Sequence, residues 1–228
     1  RGLGDVYKRQ GIGKVNFAKN ITEWQLYSTK ILDYWITAGD TPAEIEEKYA
    51  DVSGKVPMMP DYALGLWQSK MRYQTQDEVL KIARRYKEKG ITPSVIVIDF
   101  FHWTEQGHFD FDERYWPDPA KMIKELDEMG IKAMISVWPT VSTNATTYQE
   151  FLEHGYLIHV DRGVKMTMQQ LGNTVFIDTT NPNAQKYVWG KLKESYVSKG
   201  FKLFWLDVAE PGYMVYDLSL IHISEPTR

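Results

Sequence analysis

The sequence contains no cysteine, no initiator methionine and no long hydrophobic run. Without cysteine there can be no disulfide framework, thiolate zinc site, iron–sulfur cluster or thiol nucleophile. The absence of cysteine does not distinguish a reducing from an oxidising compartment, because a chain without cysteine suits either side of a membrane. No segment approaches the ~18 apolar residues of a membrane-spanning helix. No targeting signal can be read from the start, RGLGDVYKRQ, so cytoplasmic and periplasmic locations both stay open.

An excess of positive charge is also absent. The chain has 27 Lys and Arg against 30 Asp and Glu, which gives a formal charge of −3. Nucleic-acid binding needs a basic patch, so we expect no nucleic-acid partner. No G-x-G-x-x-G or G-K-[ST] motif follows a predicted strand, which counts against nucleotide-binding folds.

Metal ligands are scarce as well. His102, Glu105 and His108 come nearest to a metal-binding set, but they lie on a predicted loop without a fourth partner. We interpret this segment as a solvated loop and expect neither a metal nor a cofactor.

The N-terminal part of the sequence has a pattern of its own. Residues 21–34, ITEWQLYSTKILDY, mix β-branched and aromatic residues with polar ones, as half-buried strands do. Thr41 then precedes a helix with Pro42 in its first turn and Gly54 beyond its end. The stretch KVPMMPDYA has two prolines in nine residues and predicts a linker, so we place a domain boundary near residues 57–62.

Strand and helix patterns alternate after this boundary. Three junctions, KEKGITPSVIVIDF, DEMGIKAMISVW and VSKGFKLFWLDV, each run from helix through glycine to an apolar strand. With ALGLW as a further short strand, they predict four βα units and a parallel sheet. A doubly wound sheet and a barrel both fit this repeat, although a (β/α)₈ barrel needs about 250 residues for eight units.

Carboxylates and aromatic residues follow the predicted strands, where parallel sheets and barrels place their active sites. The candidates in chain order are Trp67, Lys70, Arg72, Asp99, Trp103, Trp138, Trp205, Asp207 and Glu210. Such a set suits a sugar, whose hydroxyls bind charged groups and whose C–H faces cover indoles. Structural alternatives remain at this point: Asp99 as a cap, Asp207 with Glu210 as a capping box, and the tryptophans as core.

At these strand ends the sequence resembles glycoside hydrolase family 31. The resemblance covers residues 33–213 and rests on four stretches in order: YALGLWQSKMRYQTQDEV, VIVIDFFHW, ISVWPTV and FWLDVAEPGY. The combination of WQSKMRY, DFFHW and LDVAEP is most similar to the bacterial branch that contains α-xylosidases. It implies the first half of a (β/α)₈ TIM barrel, about four βα units, preceded by the end of an N-terminal β-sandwich.

The resemblance also implies a mechanism. Asp207 would be the nucleophile of a retaining, exo-acting α-glycosidase, and Asp99 would contact the sugar at the cleavage subsite. A retaining pair of carboxyl groups lies about 5 to 5.5 Å apart, and the attacking one must be ionised. Lys70 or Arg72 would help to keep Asp207 ionised. The substrate would be an oligosaccharide with α-xylose or α-glucose at its non-reducing end.

One part of the family pattern is missing from the chain. The family's acid/base aspartate lies well downstream of the nucleophile, so we expect it outside this sequence and assign it to neither Glu210 nor Asp217. The head DVYKRQ and the tail SLIHISEPTR resemble translations of sequencing-adapter DNA. We therefore predict a non-native head over 1–10, a sandwich end plus linker over 11–58, half a catalytic barrel over 59–217 and a non-native tail over 218–228.

Several expectations and alternatives follow. The chain alone should be inactive and prone to aggregation, because an open parallel sheet leaves backbone groups unpaired. Xylose lacks the exocyclic CH₂OH of glucose, so a bulky residue that closes this corner of the pocket would favour xylose. The candidates for that role are Met71, Phe100, Phe101 and Trp103. The alternatives are an α-glucosidase, a non-catalytic carbohydrate-binding barrel, or another βα-barrel enzyme such as a metal-dependent lyase or an α-amylase relative. Homo-oligomerisation of the full-length protein stays open.

Overall fold

The computed structural model describes residues 13–26, 36–159, 167–169 and 171–209. The chain divides into two compact units, residues 1–59 and 60–228. The adapter-like head and tail and the candidate Glu210 lie outside the described residues. No helix within the described ranges is long and apolar enough to cross a membrane.

The first unit contains a hairpin and a helix. Strand β1 (Gly13–Phe17) pairs antiparallel with β2 (Thr22–Leu26), and helix α1 spans Pro42–Ser53. The predicted cap of α1 is confirmed, because the Thr41 hydroxyl accepts a hydrogen bond from the Glu44 N–H at 3.3 Å. The expectation that β2 is half buried is wrong for residues 22–26, all of which are exposed. A two-stranded ribbon offers few partners for apolar burial beyond cross-strand pairs such as Phe17 with Trp24.

The second unit is built on a parallel sheet. In the described residues the sheet has four strands, β3 (Trp67–Gln68), β4 (Val95–Ile98), β5 (Lys132–Val137) and β9 (Leu203–Leu206), in the order β3-β4-β5-β9. All three pairings are parallel, which confirms the predicted parallel sheet.

The first of these strands is shorter than predicted. The stretch ALGLW does not form a strand throughout, because Asp61–Leu64 forms a 3-10 helix and β3 starts at Trp67. The backbone turns early, with the Ala63 N–H donating to the Pro60 carbonyl at 2.9 Å. Gly65 then passes so close to Ser94 that a Cβ at this position would stand 1.8 Å from the Ser94 hydroxyl oxygen.

Helices separate the sheet strands as the βα pattern predicts. Helix α2 spans Gln76–Glu88, α3 spans Pro119–Glu128 and α5 spans Pro182–Ser195. Each starts with a side chain that caps its first turn, namely Thr75, Asp118 and Asn181. A 3-10 turn (Val197–Lys199) follows α5 and ends at Gly200, whose φ is 103°.

A small antiparallel sheet lies between β5 and α5 in the chain. Its order is β6 (Thr140–Ser142), β8 (Asn173–Phe176) and β7 (Met168–Gln169), with the short helix α4 (Tyr148–Glu153) after β6. Leu157 adds an isolated antiparallel bridge to Ile177.

The core lies between the parallel sheet and its helices. Ile96, Ile98 and Ile135 from the strands pack with residues such as Met122 and Leu126 of α3, all at most 1% exposed. All four residues of β4 are buried, which confirms a strand covered on both faces. The edge strand β9 contrasts with β4, because Trp205 is 47% and Leu206 72% exposed.

Candidate active site

Asp99 and Asp207 lie at the same edge of the parallel sheet. Asp99 follows the last residue of β4, and Asp207 follows the last residue of β9. Both strands pair with β5, so their carboxyl ends come together, and the Asp207 N–H donates to the Val137 carbonyl at 3.1 Å. The sheet thus joins two carboxylates that are separated by more than 100 residues of sequence.

The environment of Asp99 favours its protonated form. Partial burial raises the pKa of Asp99 above its ordinary value, and the negative charge of Asp207 raises it further. The Phe100 N–H acts in the opposite direction, because it donates to the Asp99 carboxylate at 2.8 Å.

Four of the predicted site residues project from one face of the sheet, namely Asp99, Asp207, Trp67 and Trp205. Side chains alternate between the faces of a strand, so Asp99 shares a face with Val95 and Val97, and Asp207 shares one with Leu203 and Trp205. Trp67 and Leu203 pack against the cluster of Val95, Val97 and Met134. Beside these two, only Tyr62 of the 3-10 helix packs against this cluster, whereas the alternating residues Ile96 and Ile98 pack with residues of the α-helices. Asp99, Asp207, Trp67 and Trp205 therefore lie on the face of the sheet opposite the α-helices.

Four aromatic rings pack together beside Asp99. The centroid of Phe100 lies 5.1 Å from that of Trp138, and the Phe101 centroid lies 5.9 Å from that of Trp103. Trp103 and Trp138 are themselves 5.5 Å apart and almost buried. We call Phe100, Phe101, Trp103 and Trp138 the aromatic cluster.

Two indole N–H groups on this face of the sheet are buried without a hydrogen-bond partner among the described residues, those of Trp138 and Trp67. Trp138 follows the carboxyl end of β5, whereas the predicted position of Trp67 at the same edge is wrong, because Trp67 pairs with Val95 at the amino end of the sheet. Buried polar groups are normally satisfied, so an unsatisfied one needs an explanation such as a ligand or a water molecule. Trp138 also lines a cavity of about 10 Å³ with Trp103 and Gln106.

The backbone leaves the ordinary L-residue region within two residues of each aspartate. Phe101 has φ 60° and Val208 has φ 54°, which are uncommon values for a bulky and a β-branched residue. Such conformations persist where surrounding contacts fix them, and they occur preferentially at functional sites.

The two candidate cations have different partners. The Arg72 guanidinium lies over the ring of Phe101, with its Cζ 5.2 Å from the centroid, so it touches the aromatic cluster. Lys70 instead forms an ion pair with Glu78 in the first turn of α2. This contact replaces the expected one with Asp207, because Glu78 is held in place by the Gln74 N–H at 2.8 Å. The Lys70 ammonium and this N–H lower the pKa of Glu78.

The expectation of a solvated loop after β4 is wrong in part, because Thr104 is exposed and Glu105 and His108 are partly exposed, but other residues of the loop are buried. His102 is fully buried, with Gln106 only 4% exposed beside the aromatic cluster. His108 accepts a hydrogen bond on Nε2 from the Thr146 N–H at 3.0 Å, and its Nδ1 lies 2.6 Å from the Thr104 hydroxyl. No group of three or more His, Asp or Glu side chains in the described ranges could hold a metal ion.

Sequence reasoning missed the contact between His102 and Tyr196. Its Nε2 lies 2.9 Å from the Tyr196 hydroxyl oxygen, across 94 residues of sequence. No pattern around Tyr196 indicates this contact, because the residue follows an ordinary amphipathic helix.

Comparison with known proteins agrees with this geometry. The family model described as the glycosyl hydrolases family 31 TIM-barrel domain matches residues 56–223. An uncharacterized family 31 glucosidase from Pseudescherichia vulneris is 47% identical over 216 residues, which cover 95% of this chain and 41% of that protein. Alpha-xylosidase A from Aspergillus niger is 33% identical over 217 residues, which cover 93% of this chain and 29% of that protein.

A solved structure extends the likeness to three dimensions. The GH31 alpha-xylosidase from a soil metagenome, complexed with xylose, superposes with a TM-score of 0.81 at 54% identity. The match covers 92% of this chain and 31% of that one. The chain thus spans between 29% and 41% of the length of these three relatives.

Proposed function

The chain belongs to glycoside hydrolase family 31, and we propose that it supplies the nucleophile, Asp207, of a retaining, exo-acting α-glycosidase. The observation that carries this proposal is the pair of aspartates at one sheet edge, where the charge of Asp207 raises the pKa of Asp99. Two carboxyl groups at one sheet edge, one of them with a raised pKa, can take different tasks.

The proposed reaction starts with attack of the Asp207 carboxylate on the anomeric carbon. The bond to the leaving oxygen breaks as a glycosyl ester forms on Asp207, and a general acid protonates that oxygen. Water then attacks the anomeric carbon, the same group now acts as the base, and the sugar leaves with its α configuration. This acid/base residue would come from a part of the protein other than the described residues.

Asp99 would bind the sugar and leave the attack to Asp207. Its carboxyl group is held by the Phe100 N–H, and its raised pKa makes it a poorer anion. A carboxyl group in this position suits hydrogen bonding to sugar hydroxyls, and the unpartnered Trp138 N–H offers a further donor.

Xylose is the sugar that we propose for the cleavage subsite. Phe101 lies two residues after Asp99 and is fixed between Arg72 and the indoles of Trp103 and Trp138. A rigid ring in this position would occupy the space that the CH₂OH group of glucose requires. The alpha-xylosidases from Aspergillus niger and the soil metagenome support the same choice.

The four parallel strands would form the first half of the family's barrel. The edge strand β9 and helix α5 border an apolar groove of about 370 Å³ that includes Ile177, Val188 and Leu206. A further βα unit would cover this groove and pair with β9. We further propose that residues 11–58 end a β-sandwich domain and that the 228-residue chain alone is inactive.

The test uses the full-length protein that contains this sequence. We expect turnover of nitrophenyl α-xyloside, with a kcat/KM above that for the α-glucoside, and release of α-xylose as the first product. A fluorinated xylosyl substrate should form a covalent adduct on the peptide that contains Asp207. Asp207→Asn should remove both turnover and adduct, whereas Asp127→Asn, at an exposed position on α3, should keep both.

Three results would contradict parts of the proposal. Sugar binding without turnover would favour a carbohydrate-binding barrel. Release of β-xylose first would exclude retention. A kcat/KM for the α-glucoside more than about tenfold, or 1.4 kcal/mol, above that for the α-xyloside would show that glucose is the preferred sugar of the cleavage subsite.

A further inference from the structure

His102 and Tyr196 form a buried polar pair behind Asp99, and the reaction proposed above uses neither. Both side chains are fully buried. The His102 Nδ1 lies 3.1 Å from the main-chain carbonyl oxygen of Asp99, and its Nε2 lies 2.9 Å from the Tyr196 hydroxyl oxygen. The same hydroxyl lies 3.1 Å from the carbonyl oxygen of Asp110.

Both side chains are uncharged at neutral pH. Burial lowers the pKa of His102 to about 4 and raises the pKa of Tyr196 well above its ordinary value. His102 therefore carries one N–H, and Tyr196 keeps its O–H.

The contacts select one tautomer of His102. The Asp99 carbonyl can only accept, so it favours the proton on Nδ1, and Nε2 must then accept from the Tyr196 hydroxyl. In the other tautomer the Nδ1 lone pair would face a carbonyl oxygen at 3.1 Å in a fully buried site, which leaves that carbonyl unsatisfied. In the favoured tautomer the Tyr196 hydroxyl is shared between Nε2 and the Asp110 carbonyl.

We propose that His102 and Tyr196 are positioning residues for Asp99. Asp99 is the first residue beyond β4, so the strand's own pairing does not fix its carbonyl, and the His102 N–H supplies that constraint. The constraint is needed because Phe101, two residues on, adopts a strained φ of 60°. This inference rests on the proposed function, since it assumes that Asp99 binds the sugar.

Tyr196 connects this constraint to the second carboxylate. It follows the last residue of α5, and its carbonyl accepts from the N–H of Phe201, two residues before β9, at 3.1 Å. Its ring packs against Phe204 of β9, with the centroids 6.4 Å apart. The pair thus fixes the Asp99 end of β4 to the segment that leads to Asp207.

The first test compares two amides at position 102 in the full-length protein. Asparagine is short enough to place its NH₂ near Nδ1 and keep the bond to the Asp99 carbonyl, whereas glutamine places its amide near Nε2 and keeps the bond to Tyr196. We expect His102→Gln to lower kcat/KM for the α-xyloside about tenfold and His102→Asn about threefold or less, at similar melting temperatures. Equal losses in the two variants would overturn the proposal.

A double-mutant cycle separates positioning from a general structural role. If His102 acts through Asp99, His102→Gln should lower kcat/KM no further once Asp99→Asn is present. Tyr196→Phe, which keeps the ring volume, should likewise lower kcat/KM no further in the Asp99→Asn background. This variant tests the positioning role if His102→Gln fails to fold. Tyr187→Phe is the matched control, because it removes another α5 hydroxyl, which donates to Glu150, and should leave kcat/KM unchanged.

The outcomes distinguish this inference from the proposed function. Losses that multiply in the Asp99→Asn background would overturn the positioning role alone. A wild-type protein without glycosidase activity would overturn the proposed function itself, and an Asp99→Asn variant with full activity would overturn the sugar-binding role of Asp99 on which this inference rests.

Discussion

Asp207 raises the pKa of Asp99 although their strands are not hydrogen-bonded to each other. Strand β5 lies between β4 and β9, so the two aspartates lie on either side of the end of a third strand. Trp138 follows that third strand and completes the edge. The chemistry of the site therefore depends on the order of the strands as well as on the residues themselves.

The raised pKa of Asp99 predicts a pH-dependent gain in stability for Asp99→Asn. In the wild type the folded state holds the Asp99 proton to higher pH than the unfolded state, so stability falls as pH rises through this window. Asparagine removes this loss and can still accept from the Phe100 N–H. The melting temperature of the variant should exceed that of the wild type at pH 7 but not at about pH 3.5, below the ordinary pKa of aspartate.

Activity should change in the opposite direction, because the variant loses a group that binds sugar. A melting-temperature difference of the same size at both pH values would show that the ionisation of Asp99 is not its cause.

Trp138→Phe should raise KM for the α-xyloside about tenfold with a smaller effect on kcat. The substitution removes an indole N–H that has no partner in the described part of the chain and that we assign to a sugar hydroxyl. Trp116→Phe is a matched control, since its N–H is also buried and unpartnered but its ring packs against Phe111 in the helix-side core. Equal changes of KM in both variants would contradict the assignment.

Arg72→Met should lower kcat/KM by about tenfold or more, because the guanidinium holds Phe101 at the aromatic cluster. Lys70→Met should change it less than about twofold, since Lys70 binds Glu78 on the surface of α2 and exposed pairs contribute little. Steady-state kinetics of both variants would measure this difference. If Lys70→Met caused the larger loss, the contacts of these two cations would not explain their roles.

Gly65→Ala should destabilise the protein by about 1–3 kcal/mol, because its Cβ would overlap Ser94. Adding Ser94→Gly should restore part of the loss.

Gly190→Ala on α5 has nothing within 4 Å of the new Cβ and should stabilise the helix by about 0.5–1 kcal/mol. Thermal unfolding of the three variants tests both signs, and a stable Gly65→Ala protein without the second change would contradict the close approach.

The repetitive parts of this fold were the predictable ones. The caps Thr41 and Asn181 and the apolar strand 95–98 follow from local patterns, because periodicity and capping chemistry act over a few residues. The positions of Asp99 and Asp207 followed from a rule about the carboxyl ends of parallel strands.

Contacts between distant side chains were less accessible to prediction. Lys70 or Arg72 was expected near the nucleophile, yet Lys70 binds a glutamate eight residues on and Arg72 lies over the ring of Phe101. The segment around His102 was expected to be solvated, yet His102 is buried because Tyr196, which follows α5, and Phe111, nine residues further along the same loop, pack against its imidazole. Such contacts depend on the completed packing, and no regular spacing of residues in the sequence predicts them.

The exposure of β9 bears on the order of events during folding. This strand is held by β5 on one side, and within the described ranges nothing pairs with its other side. The helices and the first three strands can gain their structure before β9 acquires a second neighbour. During refolding of the full-length protein, turnover should therefore return later than the helical circular-dichroism signal. The delay between the two would measure the time that β9, the strand before Asp207, needs to pair with its second neighbour.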